Sequence, residues 1–337
     1  MNFYNKIMEE KKMSLRIKEK RRISGGVYGL VVVFAVALIF FGSYQRADAQ
    51  QKTFKSPEEA VKSLMDALRS NNTKESMAIF GPAGKEIISS GDEVADKAGR
   101  ERFVKDYEEM NKLEKETDKK VTLVVGNREW PFPIPIVKKG ETWVFDTKAG
   151  KEEMLNRRIG RNELNTIQTC LAMVDAQREY AMKDRDSDNL LEYAQKFGST
   201  KGKKDGLYWE AKEGEEQSPL GALAARAVEE GYAGRKPGDN PTPYHGYFYR
   251  ILKAQGKNAP GGAYDYVVRG KMIGGFALVA FPAEYGASGI MTFIVNHDGV
   301  VYQKDLGKET GKIAKAMTKF DPDKTWKKVE ERTISAQ

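Results

Sequence analysis

The chain has 337 residues, 40% hydrophobic and 10% aromatic, which is length and apolar content enough for two ordinary globular domains. Its formal net charge of +8 is concentrated at the front: beyond residue 49 there are 47 basic against 44 acidic residues. A dedicated nucleic-acid binder carries its basic excess in the folded part, so that class is excluded, as are an internal disulfide (one cysteine, Cys170) and a His-rich metal site (two histidines).

Residues 11–22 (KKMSLRIKEKRR) form a positive segment, and residues 27–41 (VYGLVVVFAVALIFF) an apolar run of signal-peptide length, short for a membrane span. Ala47-Asp48-Ala49 supplies a small-x-small cleavage site. The pattern predicts a signal peptide over 1–49, cut after Ala49, and a periplasmic or secreted mature chain. The alternative is an uncleaved anchor, which would be the chain's one attachment to a membrane. A lone cysteine suits an oxidising compartment.

Residues 54–158 read as a first α+β unit. Ser56-Pro57-Glu58-Glu59 has the N-cap, N1 and N3 chemistry of a helix start, and Val61, Leu64, Met65 and Leu68 follow at one-face spacing. Residues 77–80 begin a second short helix or turn, closed by Gly81-Pro82. A third helix is expected over 98–112 and a strand over 121–125. The run Trp130-Pro-Phe-Pro-Ile-Pro-Ile136 alternates apolar side chains with prolines, which places it at a sheet edge. Lys138-Lys139-Gly140 is a turn and residues 142–146 (TWVFD) the returning strand.

Helices followed by a meander that ends Gly140-x-x-Trp143-x-Phe145-Asp146 resemble the cone-shaped NTF2-like domains of exported bacterial proteins. Such cones hold a pocket in some members, and some are enzymes. The resemblance implies that Trp130, Trp143 and Asp146 line that pocket, with Asp146 as the base of a hydrolase or isomerase. The competing reading makes both tryptophans core and Asp146 a strand end; no base–nucleophile pair is visible.

Residues 159–320 read as a second α+β unit. Arg157-Arg158-Ile159-Gly160-Arg161 is taken as a basic hinge, followed by a helix to about residue 183. Leu164, Ile167, Leu171, Val174 and Ala181 form its apolar stripe, with Cys170 a small buried hydrophobe beside it. Next comes Asp184-x-Asp186-x-Asp188, with Glu192 at loop position 9. Carboxylates at this spacing converge on a hard cation; Asn189 replaces the usual glycine and Gln195 the bidentate glutamate. The two expectations are a weak calcium site and a solvated acidic helix end. Residues 193–220 read as loop-like, 220–231 as a short helix and 234–243 as a loop. Residues 244–252 read as an aromatic strand, where His245 is a packing residue because no motif sets a carboxylate beside it. Three strands over 276–281, 290–295 and 300–304 form a meander with Asn296-His297-Asp298-Gly299 as its tight turn. Residues 308–320 are expected to be an amphipathic helix, with Ile313, Met317 and Phe320 on one face. A charged tail, 321–337, is expected to fray.

The helix with Ala176-Gln177-x-x-Tyr180 and the meander ending Thr292-Phe-Ile-Val-Asn-x-Asp-Gly-Val-Val-Tyr302 resemble the globular part of pilin-like and pseudopilin-like proteins. This chain lacks their contiguous hydrophobic stalk. Taken whole, from SPEEAVKSLMDALRS through WPFPIPIVKKGETWVFDTKAG, AQREYAMKDRDSDNLLEYAQKF and YHGYFYRIL, the chain is similar to the exported bacterial domain-of-unknown-function family numbered twenty-nine fifty. That resemblance implies an extracytoplasmic protein and brings no catalytic residues. The functional expectation is an exported, non-enzymatic binding or assembly module that engages an envelope protein or cell-wall component. The alternatives are the hydrolase or isomerase and a calcium-stabilised structural protein.

Overall fold

The computed structural model describes residues 51–232 and 241–330. The expected signal peptide, most of the 234–243 loop and the end of the charged tail lie outside them. The first helix, α1 (Pro57–Arg69), starts where its cap chemistry puts it: Ser56 Oγ accepts from Glu59 N at 3.2 Å. Its stripe Val61, Leu64 and Met65 is buried. Asn72 caps α2 (Thr73–Phe80) by accepting from Glu75 N, so that helix begins earlier than the apolar run alone suggests. A 3₁₀ turn (Pro82–Gly84) and a single turn, α3 (Lys85–Ile88), lead to α4 (Glu93–Glu109). Asp92 caps α4 five residues ahead of the expected start, and the helix ends at Glu109, short of residue 112.

From there the chain forms an antiparallel sheet ordered β1 (Asn111–Thr117), β2 (Lys120–Val125), β4 (Ile136–Lys139), β5 (Thr142–Phe145), with β3 (Trp130–Pro131) on β2. Strand β1 carries almost no apolar alternation, so its pattern gave no signal; it forms because β2 offers it a ladder. The proline-spaced segment begins at the sheet edge, where β3 pairs with β2 alone, then leaves the ladder and enters the interior strand β4 at Ile136; Phe132, Ile134 and Ile136 are buried. These residues and α1 make the first hydrophobic core.

The expected hinge is a correction. Arg157–Arg161 lies inside one continuous helix, α5 (Thr147–Tyr180), 34 residues long. Its run of Arg, Asn, Glu and Leu contains good helix formers, and Gly160 alone costs about 1 kcal/mol, too little to break a helix packed at both ends. Near its start, Gly150 lets the helix approach the 133–134 backbone: a Cβ there would sit 2.3 Å from Pro133 O. Further on, Ile167, Cys170, Met173 and Val174 are buried in the second core. Cys170 is fully buried and burial pushes its thiol up to about 12, as expected of a structural cysteine.

The second sheet is antiparallel and ordered β14 (Lys327–Lys328), β13 (Tyr302–Asp305), β12 (Met291–Asn296), β11 (Ala277–Pro282), β6 (Tyr247–Leu252), and between β6 and β11 in the chain lie two short antiparallel pairs, β7 (Ala254–Gln255) with β8 (Tyr264–Asp265) and β9 (Val267–Val268) with β10 (Lys271–Met272). The meander is therefore present, and the aromatic strand closes it on the β11 side. Residues 193–220 have no helix or strand of their own, yet Ala194, Leu207 and Trp209 are core. Helix α6 (Gly221–Glu229) follows. The last helix, α7, spans only Thr310–Ala316, and Ile313 is 42% exposed, so its apolar face is narrower than expected. Residues 327–328 pair with β13, so the front of the charged tail is part of the sheet. Helices and antiparallel sheets together make the chain α+β. Among the described residues no helix is long and apolar enough to cross a membrane.

Candidate functional site

A cavity of about 900 Å³ opens between α4, the middle of α5, the β2–β3 turn and the end of α6. Seven arginines line it: Arg100 and Arg102 from α4, Arg128 from the turn, Arg157, Arg158 and Arg161 from α5, and Arg226 from α6. Four carboxylates line it too: Asp96, Asp106, Glu109 and Glu230. On α5 the spacing i, i+1, i+4 sets three guanidiniums along one side of the helix.

Three of these arginines have structural work. Arg158 donates to the carbonyls of Glu86 and Ile87, groups that end α3 without helical partners. Burial pulls its pKa down, and Asp96 opposes that. Arg157 pairs with Glu153 at 2.6 Å and lies over the Trp130 ring at 5.4 Å. Arg226 pairs with Glu230 at 3.0 Å.

The other four differ. Among the described residues Arg100, Arg102, Arg128 and Arg161 have no hydrogen bond and no ion pair. Arg161 keeps its surface open to solvent while protein surrounds it on several sides, as befits the wall of a wet cleft. Its pKa lies below the ordinary arginine value, first through desolvation and then through the charge of Arg102. Arg161 and Arg102 are thus near enough to feel one another's charge, an arrangement that an anion would relieve.

At one end of the cavity the two halves of the chain are stitched by a buried carboxylate. Asp92, fully buried, caps α4 at Ala95 N (3.0 Å) and accepts from Tyr232 Oη (2.9 Å) and Gly246 N (2.7 Å). Three donors make this burial tolerable. His245 sits beside it in the left-handed region (φ 52). Its Nε2 is 3.3 Å from Glu230 Oε2, and its Nδ1 is 3.4 Å from Asn165 Nδ2. Burial lowers its pKa; Glu230 opposes and Arg226 adds to the lowering. Tyr244, with its ring 4.0 Å from that of His245, has its hydroxyl pushed up to about 12 by burial and by Glu230. The tertiary fold thus supplies the carboxylate partner that no motif places beside His245. With both ring nitrogens facing protein groups, His245 acts as a junction residue.

The expected pocket residues are separated. Trp130 lines the cavity, within a cluster with Phe103 and Phe132 (centroids 6.3 and 6.1 Å). Trp143 exchanges backbone hydrogen bonds with Phe54 and does not line it. Asp146 stands at the N-cap of α5, its amide bonded to Pro135 O, and also lies off the cavity wall. Arg100, Arg102, Arg128 and Arg226 gave no signal because they lie apart on three other elements, whereas Arg157, Arg158 and Arg161 form the basic run that reads as a hinge rather than as a cleft wall.

The acidic loop is well formed. Carboxylate oxygens of Asp184, Asp186 and Asp188 lie within 4.8 Å of one another. Asp184 accepts from Ser187 N and Asn189 N, both at 2.8 Å, and Asn189 has the positive φ (65°) its side chain tolerates. The positive charge between the carboxylates is Lys271: its Nζ bonds Asp186, lies 2.6 Å from Asp188 Oδ2, and reaches Glu192 Oε1 at 3.2 Å. The Lys271 contact helps hold the Asp188 carboxyl below its usual range.

Two hydrophobic cores share one long helix, α5, and the arginine-lined cleft opens beside it. The chain belongs to the family described as protein of unknown function DUF2950, whose model matches residues 51–329. No curated protein and no solved structure matches it.

Proposed function

We propose that the protein is an exported, non-enzymatic binding module of the cell envelope whose ligand site is the arginine-lined cleft. The observation that carries this is the set of four arginines on the wall of one cavity whose side chains make no ion pair among the described residues. Uncompensated guanidiniums near one another raise the energy of the free protein and repay it when an anion arrives. Export rests on the apolar run of residues 27–41 and the Ala47-Asp48-Ala49 site; fractionation with N-terminal sequencing of the mature chain tests it. An NTF2-like first half and a pilin-like second half belong to the same proposal. The order helices-then-sheet and the long helix laid against a meander support them. The envelope partner is then an acidic protein segment or cell-wall component.

For the hydrolase or isomerase alternative, Asp146, its expected base, does not line this cavity. Thermal shift with sulfate and phosphate, at constant ionic strength against chloride, tests the binding reading. Both oxyanions raise the melting temperature of the protein, and R100Q/R161Q abolishes the rise. An equal rise in that variant would overturn the cleft as the site.

A further inference from the structure

We infer that the ligand of this cleft is an amphiphile: an acidic head, carboxylate or phosphate, on an apolar body. The inference rests on the cleft being the ligand site and adds the ligand's chemical class. The cavity wall changes character with depth. Arg102, Arg128 and Arg161 are exposed, so the cationic groups stand at the mouth. Leu64, Phe80 and Phe132 line the same cavity, yet they belong to the first hydrophobic core and are 1, 5 and 4% exposed. The cavity therefore runs from a basic rim down to the carbon side chains of that core. Between the two levels stand Phe103 and Trp130, with the Arg157 guanidinium over the Trp130 ring.

An inorganic anion satisfies the rim and leaves the interior without contacts. A neutral hydrocarbon fills the interior and leaves the guanidiniums unpaired. An acidic head with a linear or aromatic body satisfies both, since an apolar void gains by receiving apolar atoms. The volume, about 900 Å³, is at the upper end of the small-ligand range of roughly 300–1,000 Å³, so the body has room for a chain or a fused ring.

The test is calorimetric titration of the protein with hexanoate, octanoate and decanoate, each below its aggregation limit, beside inorganic phosphate and decyltrimethylammonium. Affinity is expected to rise about fourfold per added methylene (about 0.8 kcal/mol), and phosphate is expected to bind far more weakly than decanoate. R100Q/R161Q is expected to weaken decanoate at least tenfold. Tryptophan fluorescence is expected to change on decanoate binding, and Trp130→Phe is expected to lose most of that change, which places the ligand against that ring. Phosphate binding as tightly as decanoate overturns the amphiphile while leaving an anion site. Decyltrimethylammonium binding as well as decanoate overturns the acidic head. Decanoate binding that ignores R100Q/R161Q overturns the placement in the cleft, and silence from every probe, phosphate included, removes both readings.

Discussion

Lys271 Nζ lies 2.6 Å from Asp188 Oδ2, among the carboxylates that the sequence spacing offers to a metal ion. An ammonium and a divalent cation are alternatives for one set of oxygens. Lys271→Met is expected to lower the melting temperature only modestly in the absence of calcium, because the pairs it breaks are partly exposed. The variant is then expected to gain from calcium, about 2.7 kcal/mol at a hundredfold excess over its dissociation constant. Melting curves of both proteins with and without calcium decide this. A large calcium shift in the unsubstituted protein, equal to that of the variant, would show that Lys271 does not compete.

Neighbouring arginines on α5 are expected to behave oppositely. Arg158→Gln strands the carbonyls of Glu86 and Ile87, and a buried polar group left without its partner costs roughly 1–3 kcal/mol. Arg161→Gln removes a charge that has no partner and that repels Arg102, so stability stays within about 0.5 kcal/mol or rises. Urea unfolding of the two variants separates a structural guanidinium from one held for a ligand. A substantial loss in Arg161→Gln would contradict that assignment.

Asp92 holds the start of α4 against the turn before β6. Asp92→Asn keeps the size but loses acceptor capacity toward Tyr232 and Gly246, an expected cost of about 2–3 kcal/mol. Tyr232→Phe removes one of the three donors and is expected to cost about 1 kcal/mol. A double-mutant cycle reports their coupling; simple additivity would deny the shared bond.

His245 gives the junction a pH dependence. Its folded pKa lies below the ordinary value near 6.5, so the unfolded chain takes up its proton first as pH falls. The contribution of the neutral ring is fully present above pH 6.5 and is lost as pH drops through the unfolded value toward the folded one. Denaturation series from pH 8 to pH 5 are expected to show stability falling below about 6.5, and His245→Gln to flatten that slope. An unchanged slope in the variant would assign it elsewhere.

Much of the local architecture was legible. Ser56 capped its helix because cap chemistry acts over three residues, and the Asn296–Gly299 turn formed because Gly299 takes the positive φ (80°) and the Asn296 side chain accepts from Asp298 N. Strand β1 was illegible because a polar edge strand takes its conformation from its partner. The Arg157–Arg161 segment was misread because a basic run is consistent with a hinge and with a helix, and packing of α5 at both ends chose the helix.

By itself the sequence determined the α+β class, the three-strand meander, the structural role of Cys170 and the carboxylates of the acidic loop. Each follows from side chains a few positions apart, where periodicity, caps and turn chemistry operate. Tertiary structure alone decided what stands among those carboxylates, which arginines share a cavity, and which carboxylate meets His245. Lys271, Arg161 and Glu230 reach their places through chain reversals that bring distant segments together, and no local pattern encodes a contact of that kind.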